Sequence, residues 1–437
     1  MSERQWISAF ASWAASGKLQ FSDLALQQAR LCLLDTLACI QCGSKAQQTQ
    51  KILHVLETMQ QQGSTCAFNQ SRPLSLAGAA MINGAAAHAI DFDDHELHAS
   101  THPSAVLVSA LLAMVDLKQI PLTRFLNAYL VGYEAIIQTG NTLGYEHYRL
   151  GWHATSTIGP LAAAAACSYF LGHNADQIAN AMAIASSQAA GLQAQFGSDM
   201  KAVHAGLAAR AGVEACLFAR AGIRANLDLF EAPRGFFKCY GGKTAASTLC
   251  WSPGQAMDMA PVTRKLWPCC GYTHRAIEAA LRLSTRLEGK RPRSIKIRIA
   301  EPYWLPVQNV TPHSPATARF SLAWCVASAL ANGKINTRSF TEESILCPET
   351  QALLARVRVD TYPAPEGLKD ISAEAPETVS LQLDDGSELS ETIDVIQGSP
   401  QRPMSEDEFL SKLCDSGVAS RVGEAILDPA TQVLDIQ

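Results

Sequence analysis

The 437 residues are enough for two or three domains of ordinary size. A hydrophobic share of 48% beside 17% charged residues permits a large core and argues against disorder. A net charge of −5, with no long Lys/Arg run, argues against a nucleic-acid binder.

The first six residues are polar and carry no apolar signal core. Apolar runs such as 161–166 fall far short of the roughly 20 residues a membrane span needs, so a cytoplasmic location is expected. Up to about residue 242 the pattern is helical throughout, and nothing in this half reads as a sheet. Ser22 is placed to cap a helix over 24–40, and Pro103 fits the first turn of one through 105–117. Gly159-Pro160 is expected to open an Ala-rich helix to Phe170. Asn174 can cap a helix over 176–190, and Ser198 one over 200–221. Small residues at 85–87, 162–166 and 205–212 imply close helix packing.

Past residue 252 the character changes. Residues 294–300 alternate with period two, 356–360 repeat the pattern, and 379–383 with 389–395 read as a hairpin around Asp384-Asp385-Gly386-Ser387. Helices at 273–287 and 320–332 separate these strands. The expected fold class is mostly α with an α+β second domain. Residues 1–254 form a large helical domain, 255–400 a smaller α+β domain, and helices within 401–437 return to the first.

The 13 cysteines are scattered and odd in number, and several (Cys32, Cys167, Cys216, Cys325) sit in apolar helical patterns, so they read as reduced core thiols. The pair Cys39 and Cys42 has no partner pair at zinc spacing. Gly241-Gly242-Lys243-Thr244 ends like a phosphate loop but lacks the glycine spacing and the preceding strand. No GxGxxG, GxSxG or HExxH occurs, so no nucleotide, flavin or nicotinamide cofactor is implied.

Eight of the eleven histidines lie between His88 and His204. The densest stretch, NGAAAHAIDFDDHELHASTHPS, holds Asp91, Asp93, Asp94, His95, Glu96, His98 and His102, and places His102 at a helix N-terminus, where free N–H groups attract anions. Three readings compete: a metal site through His98 and His102, a solvated loop, and a metal-free acid/base site. A second stretch, GWHATSTIGP, sets His153 before small hydroxyl residues at another helix entrance. In the third, GSDMKAVHAG, Lys201 and His204 share one helix face, and a lysine in the first turn opposes the helix dipole, which favours a substrate-carboxylate contact over a surface residue. The fourth, KLWPCCGYTHR, puts His274 near a helix start flanked by Lys265 and Arg275. Together the four describe a pocket for a polyanionic small molecule, with histidines suited to acid/base work.

These stretches, in this order, resemble the MmgE/PrpD family, which includes 2-methylcitrate dehydratase, cis-aconitate decarboxylase and iminodisuccinate epimerase. The resemblance implies a helical large domain, a smaller α+β lid, a cleft site between them, a homodimer, and no metal or organic cofactor. By motif it implies active-site roles for Asp91, His102, His153, Lys201 and His274. The same stretches offer His204, Lys265, Tyr272 and Asp94 beside Lys201 as substrate-binding candidates. His102 or His153 would be the base, His274 the acid, and Asp91 would orient a histidine. The decarboxylases of the family carry a tyrosine in an FSxxY-type stretch where this chain has Trp324, and His95 stands where many relatives have a small polar residue. Family frequency puts dehydration of a 2-hydroxy tricarboxylate first, epimerisation of a dicarboxylate follows, and Trp324 puts decarboxylation of cis-aconitate third. A carboxylate- or metal-binding protein without catalysis is the non-enzyme alternative.

Overall fold

The structure, a computed structural model, describes residues 6–96, 98–242, 256–308, 311–363 and 375–437. The expected boundary at 254/255 and residues Lys243 and Thr244 of the loop-like tetrapeptide lie outside them. Nine helices set the frame of the first part: α1 (Trp6–Ala14), α2 (Asp23–Gly43), α3 (Gln47–Thr58), α4 (Leu76–His88), α5 (Pro103–Ala113), α6 (Leu122–Arg149), α7 (Ala154–Leu171), α8 (Ala175–Ser186) and α9 (Met200–Arg220). Side-chain oxygens define several starts: Ser22 accepts from Ala25 N–H, and Asn174 forms a reciprocal capping box with Gln177. At α9 the cap residue is Asp199, without a side-chain bond, while the neighbouring Ser198 hydroxyl accepts from Met200 N–H.

Helices α4, α7 and α9 meet through residues that have almost no side chain. A Cβ on Gly206 would sit 2.4 Å from the Met81 carbonyl oxygen, and one on Gly212 would sit 2.2 Å from Ala163 Cβ. Only glycine admits these backbones so close together. Helix α7 begins at Ala154, earlier than the Gly159-Pro160 start expected from sequence, and Pro160 lies inside it. A proline removes one donor from the ladder, a cost that burial of the whole 154–168 run among neighbouring helices offsets. Helices α7 and α9 have the length and apolarity to cross a membrane, but 89% and 67% of those windows are buried inside the fold.

The second part is built on a mixed four-stranded sheet in the order 357–362, 292–300, 377–383, 388–393. The first pair is parallel and the others antiparallel. Ile295, Ile297 and Ile299 all point to one face, and are fully buried in one core with Ile277, Ala280 and Leu283 of helix His274–Ser284 and Val326 of helix Leu322–Asn332. A separate, larger core runs through the helical part and takes in Phe409, Leu413, Val422 and Ile426 from the C-terminal helices Glu406–Ser416 and Ser420–Leu427.

The helical part also contains short strands that were not expected. Residues 62–66 pair with 73–74, Ile120–Pro121 with Val433–Leu434, and His95–Glu96 with Val262–Thr263. Two-residue ladders leave no period-two signal to read. The last of them fastens the His95 loop to the segment leading to Lys265. The twelve described cysteines are all free thiols, and among the described residues Cys39 and Cys42 fall in no group of three or more potential metal ligands.

Candidate active site

Asp91, His95, Ser100, His102, Tyr148, His153, Phe196 and Lys201 from the helical part, with Lys265, Cys270, Gly271, Tyr272 and Phe320 from the α+β part, line one narrow cavity. Helix starts deliver two of the histidines. His102 precedes α5, its N–H donating to Thr155 Oγ1, and His153 precedes α7, its N–H donating to the Gly191 carbonyl. Helix α4 ends at His88, and the chain then turns through Asp91 at φ +56°, a left-handed conformation that Asp tolerates better than most residues. That turn points the Asp91 carboxylate at two ammonium groups: Lys201 Nζ donates to Oδ1 at 2.5 Å, and Lys265 Nζ lies 3.1 Å from the same oxygen. Burial raises the Asp91 carboxyl, but Lys201 and Lys265 outweigh it and hold the group well below the usual carboxylate range.

Behind this pair stands a second carboxylate. Asp93 Oδ2 lies 2.7 Å from His88 Nδ1 and 3.3 Å from His102 Nδ1, and the two imidazoles pull its carboxyl well down against the effect of burial. Lys201 Nζ sits 2.9 Å from His88 Nε2. Because an ammonium only donates, His88 Nε2 accepts, so its proton sits on Nδ1 toward Asp93. His102 Nδ1 makes no hydrogen bond to that carboxylate, but the negative charge 3.3 Å away favours a proton there too, leaving His102 Nε2 bare. His153 differs, since its Nδ1 lies 3.0 Å from His204 Nδ1. Burial, assisted by Lys201, depresses His102 and His153 well below the ordinary histidine value and brings His95 and His204 down to about 4. All four are therefore neutral imidazoles at pH 7, able to take a proton as a base does.

The fold thus gathers Asp91, His102, His153, Lys201, Lys265 and Tyr272 around one cavity. Three expected site residues fall outside its wall. Asp94 accepts from the Ser104 N–H and hydroxyl, which makes it a brace for the first turn of α5. His204 stands behind His153. His274 is buried against Trp267 (ring centroids 5.1 Å apart), with Nε2 3.4 Å from the Cys269 carbonyl. Trp324 is fully buried in the core beneath the sheet, against Phe340, and does not face the cavity. The loss of a hydroxyl at that position therefore removes nothing from the cavity wall. His88 and Asp93 were not singled out as site residues from sequence. The available signal was an ionisable side chain ending the small apolar run of α4, and an acid two positions after Asp91.

A metal centre through His98 and His102 does not form, because His98 turns outward beside Glu96, whose carboxylate accepts from the N–H groups of His98, Ala99 and Thr101. The fold does bring ligand atoms of His88, Asp91, Asp93 and His102 within 4.8 Å of one another. That set does not fit a divalent cation: Lys201 Nζ already bonds Asp91 and His88, and Lys265 Nζ lies on the same Asp91 oxygen, so two ammonium groups occupy the position an ion would take.

Residues 8–248 match the MmgE/PrpD N-terminal domain and residues 267–424 the MmgE/PrpD C-terminal domain. The chain belongs to the MmgE/PrpD family. Cis-aconitate decarboxylase of Homo sapiens is 28% identical over 411 residues, covering 90% of this chain and 83% of that protein. Cis-aconitate decarboxylase of Aspergillus terreus (strain NIH 2624 / FGSC A1156) is 26% identical over 415 residues, covering 89% and 84%. These relatives support a lyase-type enzyme of this family.

Proposed function

We propose that this family member is a lyase for a small tricarboxylate of the aconitate–citrate class, working by proton transfer at a carbon beside a carboxylate. The observation that carries this reading is the pairing of two buried ammonium groups, Lys201 and Lys265, with two neutral imidazoles, His102 and His153, around one cavity. The ammonium groups suit substrate carboxylates and the negative charge that builds on them as the electron pair is delivered. The imidazoles suit the proton.

Decarboxylation of cis-aconitate stands first. Its support is the similarity to cis-aconitate decarboxylases along more than four-fifths of their length, and the position of Trp324 away from the cavity. In that reaction the bond from the methylene carbon to its carboxylate breaks, and CO₂ leaves. The electron pair forms a new C=C bond, and the former alkene CH takes up a proton. Dehydration of a 2-hydroxy tricarboxylate is the second reading, supported by the bare Nε2 inferred for His102, since dehydration begins with proton removal. Neither path routes a step through a metal.

The test is proton NMR in D₂O of the purified, chelator-treated protein with cis-aconitate, 2-methylcitrate, citrate, malate, tartrate and iminodisuccinate. Decarboxylation gives a new terminal methylene pair and deuterium in the adjacent CH₂, whereas dehydration gives an internal alkene from a hydroxy acid. If no acid in the panel is converted or exchanges a proton, the lyase reading fails.

A further inference from the structure

We propose that His204 acts through His153 as a proton reserve, so that this one imidazole of the cavity wall can both deliver and collect protons; this rests on the lyase reading above. Two ring nitrogens, His153 Nδ1 and His204 Nδ1, face each other at 3.0 Å, and at that distance one of them donates. His153 lines the cavity, and its other nitrogen, Nε2, is buried without a hydrogen-bond partner among the described residues. A buried ring nitrogen at a cavity wall, unpaired within the protein, is placed to bond whatever enters the cavity, water or ligand. His204 does not reach the cavity. It sits on α9 with its Cε1 3.3 Å from the position of a Cβ on Gly191, and it keeps 6% of its surface open.

The contrast with His102 defines the role. A carboxylate such as Asp93 accepts only, so it favours one tautomer in the imidazole beside it. A second imidazole imposes no such choice. With His204 donating, His153 carries its proton on Nε2 and presents an acid to the cavity. With His153 donating, Nε2 is bare and presents a base. The proton count closes with both rings neutral, and the one hydroxide formed when water replenishes His204 passes to bulk solvent. The substrate carbon takes the proton from His153 Nε2, His204 passes its Nδ1 proton to His153 Nδ1, and His204 Nε2 takes one from water. Both rings end neutral, as their burial beside Lys201 requires. The reverse sequence serves proton removal. His204 is thus a positioning and relay residue, and His153 is the group that touches substrate.

The experiment uses the full-length protein with ¹⁵N-labelled histidine, comparing wild type, His204→Gln and His204→Ala. The expected result for His204→Ala is a kcat reduced about 100-fold, a KM within twofold of wild type, and recovery of kcat with added imidazole. In His204→Gln the His153 ring nitrogens should move from averaged shifts to those of one tautomer. A raised KM at unchanged kcat, or His153 shifts that ignore the His204 substitution, overturns the relay. Should wild type convert none of the panel acids, the lyase reading fails separately, and the His153 shifts alone still decide whether the two rings share a proton.

Discussion

Two aspartates three positions apart carry opposite electrostatics. Asp91 faces two ammonium groups and is held ionised. Asp94 is buried near Asp35, and these together push its carboxyl up to about 7 in spite of the Ser104 hydrogen bond. In the unfolded chain an aspartate loses its proton near pH 4. Between roughly pH 4 and 7 the folded protein therefore retains a proton that the unfolded chain has released. Stability falls as pH rises through that window and levels off above it. Asp94→Asn keeps an acceptor for the Ser104 N–H and removes the titration, so the variant should gain on wild type between pH 5.5 and 7.5. Urea unfolding of both proteins at the two pH values checks this. Other titrating groups cancel in the difference, so an equal gap at both values would show that Asp94 does not carry the shift.

At the scale of elements, the long capped helices and the alternating strands were legible because each has a local cause: Ser22 and Asn174 as caps, the 294–300 alternation, and the Asp385-Gly386 turn of the hairpin. The His102 and His153 helix entrances were legible for the same reason. What escaped depends on contacts between distant segments. Lys412 on helix Glu406–Ser416 is the clearest case, since nothing local distinguishes it from a surface lysine. Its Nζ is buried, lies 2.7 Å from Asp35 Oδ1, and donates to the carbonyls of Phe92 and Lys265, thereby tying α2 and the C-terminal helix to both site segments. Removing one member of a buried pair leaves an uncompensated charge, typically at about 3–5 kcal/mol. Lys412→Met should therefore destabilise the protein by about that much, and adding Asp35→Leu should recover much of the loss. Denaturant titration of the single and double variants tests it, and a single-variant loss under about 1 kcal/mol would mean the pair contributes little. His88 and Asp93 escaped for the same reason, because their meaning depends on where α9 places Lys201.

At the scale of the whole molecule, the parts built on the two largest hydrophobic cores share one cavity. The helical part supplies Lys201, His102 and His153, the α+β part supplies Lys265 and Tyr272, and the 95–96/262–263 ladder fastens one to the other. A tricarboxylate that bridged the two ammonium groups, as proposed, would hold both parts at once and would be released when either unfolds. Such a ligand stabilises the native state by RT ln(1 + [L]/Kd), about 2.7 kcal/mol at 100 times Kd. The substrate class should accordingly raise the thermal midpoint with the logarithm of its concentration. Lys201→Met and Lys265→Met should each suppress that rise, although the two lysines belong to different cores. The comparison must be made on each variant's own ligand-free midpoint, because removing either ammonium also leaves Asp91 short of a partner in its burial. Differential scanning fluorimetry with cis-aconitate and citrate gives the answer. If Lys265→Met retains the full ligand-dependent rise, the α+β part does not help to hold the acid, and the cavity is a site of the helical part alone.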